Sequence, residues 1–325
     1  MPRLTKLEEV LFPVAEHPVF VKVPGKDGVR HVQVPGKKAI LNQQTSHVLG
    51  IVSGGYRLVS NQEALDMANL CCRTVFPETQ PGEWSVNGVD APATAGYCHI
   101  DLVHNSDALE FNSVPAEQRP DIFGPFIRVT NSFNGLRALG FNIGFYRKVC
   151  KNGLIIPDTI IRFKFTHQRR DIGETIQFKI AKDKLAEFRS AFTDSIASLK
   201  SFTLPRPQFD LLFRNVLAIH PPQDLQPQTR LSEDWHKLGS DIDEKCSRYA
   251  HELGDNAYAV FNAVTEFASR PPDNRCLHRD RHSYQRLAGS WLTSFTTECN
   301  QPGFSLAVHL DKLAKDRAKA KNQQN

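Results

Sequence analysis

Between Arg137 and Arg170 the sequence places eight Lys or Arg residues (137, 147, 148, 151, 162, 164, 169 and 170) against one acid, Asp158. The whole chain carries a net charge of only +5, so this segment holds more than the entire surplus. Phe141, Phe145, Tyr146, Phe163 and Phe165 are interleaved with the cations. Basic residues that can follow a phosphate backbone, with rings for base stacking, are the makings of a single-stranded nucleic-acid groove. Arg137, Arg147, Lys148, Lys151, Arg162, Lys164, Arg169 and Arg170 are the candidate phosphate contacts. Tyr146, with Phe141 or Phe145, is the candidate stacking ring. The competing reading is a solvated sheet face with its rings in the core. Ile161, Phe163 and Phe165 alternate with Arg162, Lys164 and Thr166, which supports that reading for the rings and leaves the cations outside.

Other chemistries fit less well. Gly135 and Gly140 have the spacing of a phosphate loop, but Phe141 and Asn142 follow where Lys and Ser or Thr are needed. Cys276, His278 and His282 form a Cys-x-His-x3-His run, with Cys299 as a conceivable fourth ligand. Paired Cys knuckles are missing, and Arg275, Arg279 and Arg281 oppose a cation. The run reads more simply as a second basic patch. His99 and Asp101 could share one strand face as an acid-base pair, but with no third partner to assign, a polar outer face is the better reading. Cys150 has Lys148 and Lys151 beside it, which would lower a thiol pKa, yet an apolar face suits it better. A metal-dependent hydrolase or nuclease needs a carboxylate cluster, and the basic centre offers Asp158 alone. No catalytic residue, metal site or cofactor is assigned.

The 325 residues are 40% hydrophobic and 23% charged, values of a globular chain. No apolar run approaches the roughly 20 residues that span a bilayer. Glu8 and Glu9 stand where a signal peptide would be apolar, so a cytoplasmic protein without membrane contact is expected. The seven cysteines include no CxxC pair, which fits reduced, buried thiols.

The elements that must position these residues can be read from periodicity. Residues 1–48 hold a hairpin with turns at Pro24-Gly25 and Pro35-Gly36. Residues 49–204 form a core with an apolar strand, a short strand over Tyr56–Val59, and a helix capped by Ser60 or Asn61. That helix buries Ala64, Leu65, Ala68, Cys71 and Cys72. Tyr97, His99, Asp101 and Val103 alternate with Cys98, Ile100 and Leu102 in a later strand. A short helix from Ile143 to Cys150 would end at Asn152-Gly153. Phe178, Ala181, Leu185, Phe188, Phe192, Ile196 and Leu199 form one stripe of a long amphipathic helix. Residues 205–231 read as a Pro/Gln-rich linker and 232–325 as a helical region with a basic tail. Strands come first and helices later, which is an α+β pattern with an antiparallel sheet.

One stretch carries a resemblance. Asn131, Ser132 and Gly135, followed by Arg147, Val149, Cys150, Asn152, Gly153 and Leu154, resemble the signature of a family of phage- and plasmid-encoded proteins of unknown function. Tyr56, Arg57 and Val59 are similar to its Tyr-Arg-Val-Val opening, and Phe261-Asn262 to its helical segment. The likeness runs from about Gly50 to Thr297. Phe133-Asn134 departs from it, standing where a His-Asp-like pair is expected. The resemblance implies a mobile-element protein of mixed strands and helices and supplies no activity.

Together these readings lead to the expectation of a protein that binds single-stranded nucleic acid, DNA in the first place. Its setting would be the replication, recombination or transfer of a phage, prophage or plasmid. The alternatives are a protein-interaction module that inhibits a host restriction or defence system, and a metal-dependent hydrolase or nuclease. A homo-oligomer and a host protein partner are both compatible with the sequence.

Overall fold

A computed structural model describes residues 3–25, 28–75, 82–106, 109–111, 121–147, 152–155, 162–165 and 179–322. In chain order the strands and helices begin with β1 (Arg3–Leu4), β2 (Val14–Gly25), β3 (Gly28–Asn42), β4 (Val48–Ser53) and α1 (Asn61–Val75). Then come β5 (Trp84–Pro92), β6 (Tyr97–His104), β7 (Leu109–Phe111), β8 (Asp121–Ser132), β9 (Leu139–Arg147), β10 (Asn152–Ile155) and β11 (Arg162–Phe165). Helices complete the chain: α2 (Lys179–Ser201), α3 (Phe209–Leu217), α4 (Arg230–Leu253), α5 (Ala257–Ser269), α6 (Arg281–Glu298) and α7 (Leu306–Asn322). The fold is α+β, and the strand pairings among the described residues are antiparallel. Contacts divide the chain into two compact units that are discontinuous in sequence. The first is Met1–Asp107, Pro125–Ile143 and Ile161–Leu185; the second is Ala108–Gly124, Gly144–Ile160 and Ala186–Asn325.

In the first unit β2, β3 and β4 form a three-stranded sheet. A second sheet has the order β1-β5-β6-β8-β9, and β11 pairs with β9. Register decides which side chains share a face. Val89, Ile100 and Val129 are cross-strand neighbours, as are Leu102 and Ile127, and all five are buried. Asp90, His99 and Thr130 form the next row, on the opposite face, with Asp101 opposite Arg128. A period of two separates the apolar from the polar row. Ser60 opens α1 with a reciprocal capping box: its Oγ accepts from the Glu63 N–H at 3.1 Å, and Glu63 Oε2 accepts from the Ser60 N–H at 2.7 Å. The expected apolar face of α1, Ala64, Leu65, Ala68, Cys71 and Cys72, is buried.

The second unit is mainly helical. Helix α5 is buried on nearly all sides, which marks it as central to the helical core. Side chains cap three of the helices. Thr229 accepts from the Ser232 N–H before α4, Asn256 from the Ala259 N–H before α5, and Asp280 from the Ser283 N–H before α6. On α2, Phe192, Ile196 and Leu199 are buried, as the stripe required. Residues 205–231, read as a linker, contain α3, whose Leu212, Phe213, Val216 and Leu217 are fully buried. Proline-rich flanks masked a short amphipathic helix there.

Two local expectations are corrected. Ile143–Arg147 is part of β9, not of a helix. Its backbone pairs with β10, Tyr146 opposite Gly153 and Arg147 opposite Asn152, so long-range pairing overrides the helix-stop signal of Asn152-Gly153. Tyr56–Val59 is not a strand. Tyr56 instead turns its hydroxyl inward and donates to the Ser132 carbonyl.

Candidate nucleic-acid interface

The stretch from Asn131 to Arg137 leaves β8 and enters β9 through a turn built from its own side chains. Asn134 Oδ1 accepts from the Ser132 hydroxyl at 2.9 Å and from the Leu136 N–H at 3.1 Å. Gly135 has φ +73°, a left-handed conformation that glycine takes without a Cβ clash. The neighbouring strand comes so close that a Cβ on Gly50 would stand 2.5 Å from Asn134 Cα. Asn131, fully buried, donates to the Val59 carbonyl and to Asn61 Oδ1, both at 2.9 Å. Asn61 in turn donates to the Val10 carbonyl at 2.9 Å. Phe133 packs in a core with Phe12, Ile40, Leu49, Val52, Tyr56 and Ala95. The stretch from Asn131 to Arg137 is therefore a chain reversal locked to other segments of the first unit. Phe133-Asn134, which stands in place of a His-Asp-like pair, serves as core ring and turn former.

At the exit of this turn Arg137 is half-buried, and its guanidinium lies 4.7 Å from the centroid of the partly exposed Tyr97 ring. A cation over a ring face is attracted by the ring quadrupole. Strand β11 sets Arg162 opposite Asn142 and Lys164 opposite Gly140. Those two candidates and Arg137 thus belong to one unit and to the β9–β11 end of one sheet. Lys148, Lys151, Arg169 and Arg170 lie outside the described residues.

Arg147 and Tyr146 do not face water. Arg147 is 5% exposed and Tyr146 7%. Arg147 Nε donates to Asp121 Oδ1 at 2.9 Å, and its Nη2 reaches the same oxygen. The Arg147 guanidinium also lies 5.8 Å from the Tyr249 ring centroid. The other Asp121 oxygen accepts the Tyr258 hydroxyl at 2.6 Å. A cation so held cannot neutralise a phosphate without leaving an aspartate buried and unbalanced. Phe141 and Phe145 are buried as well, the latter stacked on Phe192 at 4.3 Å. Neither of them offers a face to a base.

The His99 and Asp101 face is also buried, not outward: His99 is 1% and Asp101 3% exposed. Arg128 clamps Asp101 in a two-pronged pair, Nε to Oδ1 at 2.5 Å and Nη2 to Oδ2 at 2.6 Å. His99 Nδ1 lies 2.8 Å from Thr130 Oγ1. Arg3 pairs with Asp90 at the end of the same face. These contacts run across neighbouring strands, which suits a structural role. Among the described residues no three His, Cys, Asp or Glu side chains are grouped to hold a metal ion. The Sγ of Cys276 lies against the Leu231 carbonyl at 3.7 Å.

Residues 48–291 match the family model described as a domain of unknown function, DUF932. The chain belongs to this family. No curated protein and no solved structure matches it. The DUF932 part opens at the first residue of β4 and closes inside α6. It includes the locked turn, both buried Arg–Asp pairs and the Arg137–Tyr97 stack. The described thiols of this DUF932 chain are free of disulfides. Burial pushes those of Cys71, Cys98 and Cys246 up to about 12, so none of the three is a thiolate at neutral pH. Cys150 lies outside the described residues. Among those described, no helix is long and apolar enough to cross a membrane.

A further cationic surface precedes the DUF932 part and escaped the charge count, because it is thinly spread. From Pro18 to Gly25 and from Gly28 to Asn42 the strands β2 and β3 contain no acid, yet carry Lys22, Arg30, His31 and Lys37, besides Lys38, which pairs with Glu16 at 2.7 Å. The readable signal was a long alternation free of acids on both sides of a Pro-Gly turn.

Proposed function

We propose that this DUF932 protein binds single-stranded nucleic acid, with Arg137 on Tyr97 as a principal contact. The observation that carries this reading is that contact, the guanidinium of partly buried Arg137 4.7 Å from the ring centroid of partly buried Tyr97. Its unit also holds Arg162 and Lys164 in register with β9. A base can stack on a guanidinium plane or on a tyrosine, and the cations answer the phosphates. The burial of Arg147 and Tyr146 moves the surface away from the β9–β10 hairpin and toward β11. The setting proposed for such binding is replication, recombination or transfer of a phage, prophage or plasmid, which the sequence resemblance suggests. A salt-titrated anisotropy series with single-stranded DNA, duplex DNA and RNA tests it. Arg137→Ala is expected to weaken single-strand binding by about 1–3 kcal/mol and to flatten the salt slope. Unchanged affinity and slope would remove Arg137 from the interface.

A second reading, a module that binds and inhibits a host protein, draws on the exposed apolar residues Val21, Val29 and Val32 of the β2–β3 ribbon. It predicts weak, salt-insensitive nucleic-acid binding.

A further inference from the structure

Strand β4 pairs with β3 only from Lys37 to Leu41. Beyond that point β2 and β3 continue as a two-stranded ribbon, with Phe20 opposite Gln33, Val21 opposite Val32, Lys22 opposite His31 and Val23 opposite Arg30. Cross-strand partners share a face. One face therefore carries Phe20, Lys22 and His31, and the other Val21, Arg30 and Val32. Both are open: Phe20 is 52% and Val21 47% exposed, and Val29 near the tip 66%. A lone two-stranded ribbon is marginal in water. One that keeps a phenylalanine and three valines exposed has the composition of a contact surface.

Three features select the partner. The ribbon edges are blunted by Pro18 and Pro24 on β2 and Pro35 on β3, which lack the N–H needed to add another strand. Strand exchange with a second copy is thereby opposed. The ribbon strands hold cations and, from Pro18 onward, no acid among the described residues, so the complementary partner is anionic. The cations lie on both faces, Lys22 and His31 on one and Arg30 on the other. A flat anionic surface could engage only one of these faces. The major groove of DNA, about 12 Å wide, admits a two-stranded ribbon, and its two phosphate walls meet both faces at once. Phe20 and Val21 then lie within the groove, one on each face, where thymine methyls offer apolar contact.

We infer that the β2–β3 ribbon is an arm that binds the major groove of duplex DNA. This rests on the reading of the protein as a nucleic-acid binder and adds a duplex contact to the single-strand contact at Arg137. A chain with both would hold a duplex beside its unpaired continuation. The full chain can be tested by anisotropy against three labelled probes: a single strand, its duplex, and the duplex with a single-stranded overhang. Lys22→Ser with Arg30→Ser is expected to weaken duplex binding about tenfold or more and to lower the salt slope by about two. Single-strand binding should be preserved. Phe20→Ser should weaken duplex binding with the slope unchanged, and circular dichroism verifies the fold of each variant. If the ribbon variants leave duplex binding intact while Arg137→Ala weakens the single strand, the arm is overturned and the single-strand reading stands. If neither changes anything, both fall. A concentration-dependent dimer abolished by Phe20→Ser, with duplex binding unaltered, would assign the ribbon to self-association and also overturn the inference.

Discussion

Arg128 and Arg147 have the same partner type and nearly the same burial, 1% and 5% exposed, but they tie different things together. Arg128 on β8 closes on Asp101 directly opposite it on β6, so that pair joins two strands of the first unit. Arg147 on β9 closes on Asp121 of β8, and the cluster then extends into helices. Tyr258 of α5 donates to Asp121, Tyr249 of α4 lies against Arg147, and Lys200 of α2 stands 5.0 Å from the Tyr258 ring. Tyr249 passes the connection on, donating to Glu266 at 2.6 Å, where Arg248 also binds. One pair is cross-strand stitching; the other anchors a helical layer to strand ends within the second unit. A buried cation thus takes its role from whether the remaining valences of its partner point along the sheet or out of it.

The largest effect should come from cutting either pair. Arg128→Ala and Arg147→Ala each leave an aspartate buried, and each is expected to destabilise by about 3–5 kcal/mol in denaturant unfolding. Removing both partners separates the two regions. Asp101→Leu with Arg128→Met should restore most of the loss, since apolar substitution of a whole buried pair is often close to neutral. Asp121→Leu with Arg147→Met should restore less, because Tyr258 loses the carboxylate to which it donates. Equal rescue in the two units would remove the distinction drawn between them.

A smaller effect belongs to Tyr258→Phe, expected at about 1–3 kcal/mol. Its cost should not add to that of Arg147→Ala, since both act on Asp121. Strict additivity in a double-mutant cycle would show that the hydroxyl and the guanidinium act independently.

The smallest effect is a pH dependence confined to the helical network. At Glu266 burial favours the neutral form, but hydrogen bonds from Arg248 and Tyr249 outweigh it and hold the carboxyl below the usual carboxylate range. A carboxyl with a lowered folded pKa contributes stability that is full above its unfolded value and is lost as pH falls through the folded one. Glu266→Gln should therefore flatten the acid limb of the stability profile and leave the neutral plateau with little slope. An acid limb identical to that of the parent would show that Glu266 does not contribute to it.

Local rules were legible wherever neighbours in sequence are neighbours in space. The α1 cap at Ser60 and Glu63, the stripe Phe192, Ile196 and Leu199, and the alternation about His99 all follow from residues a few positions apart. The Asn-Ser-x-x-Gly turn was legible as a turn from Asn134-Gly135. Its locking by Gly50, Asn61 and Tyr56 was not, because those residues lie seventy or more positions upstream of their partners. Arg147 is the sharpest miss. Its basic neighbourhood suggested a surface, whereas its partners are Asp121, 26 residues away, and Tyr258, which bonds the same aspartate across 137 residues.

Sequence alone carried the α+β class, the start of α1 and the two-faced pattern of the strands, since each arises from short-range sterics and periodic burial. Which cations meet water was settled by packing, because the fate of a charge depends on the carboxylate that distant segments bring within three ångströms. The alternation that puts Arg128 and Arg147 on particular strand faces is local, but the solvent on the far side of those faces is a property of the folded chain.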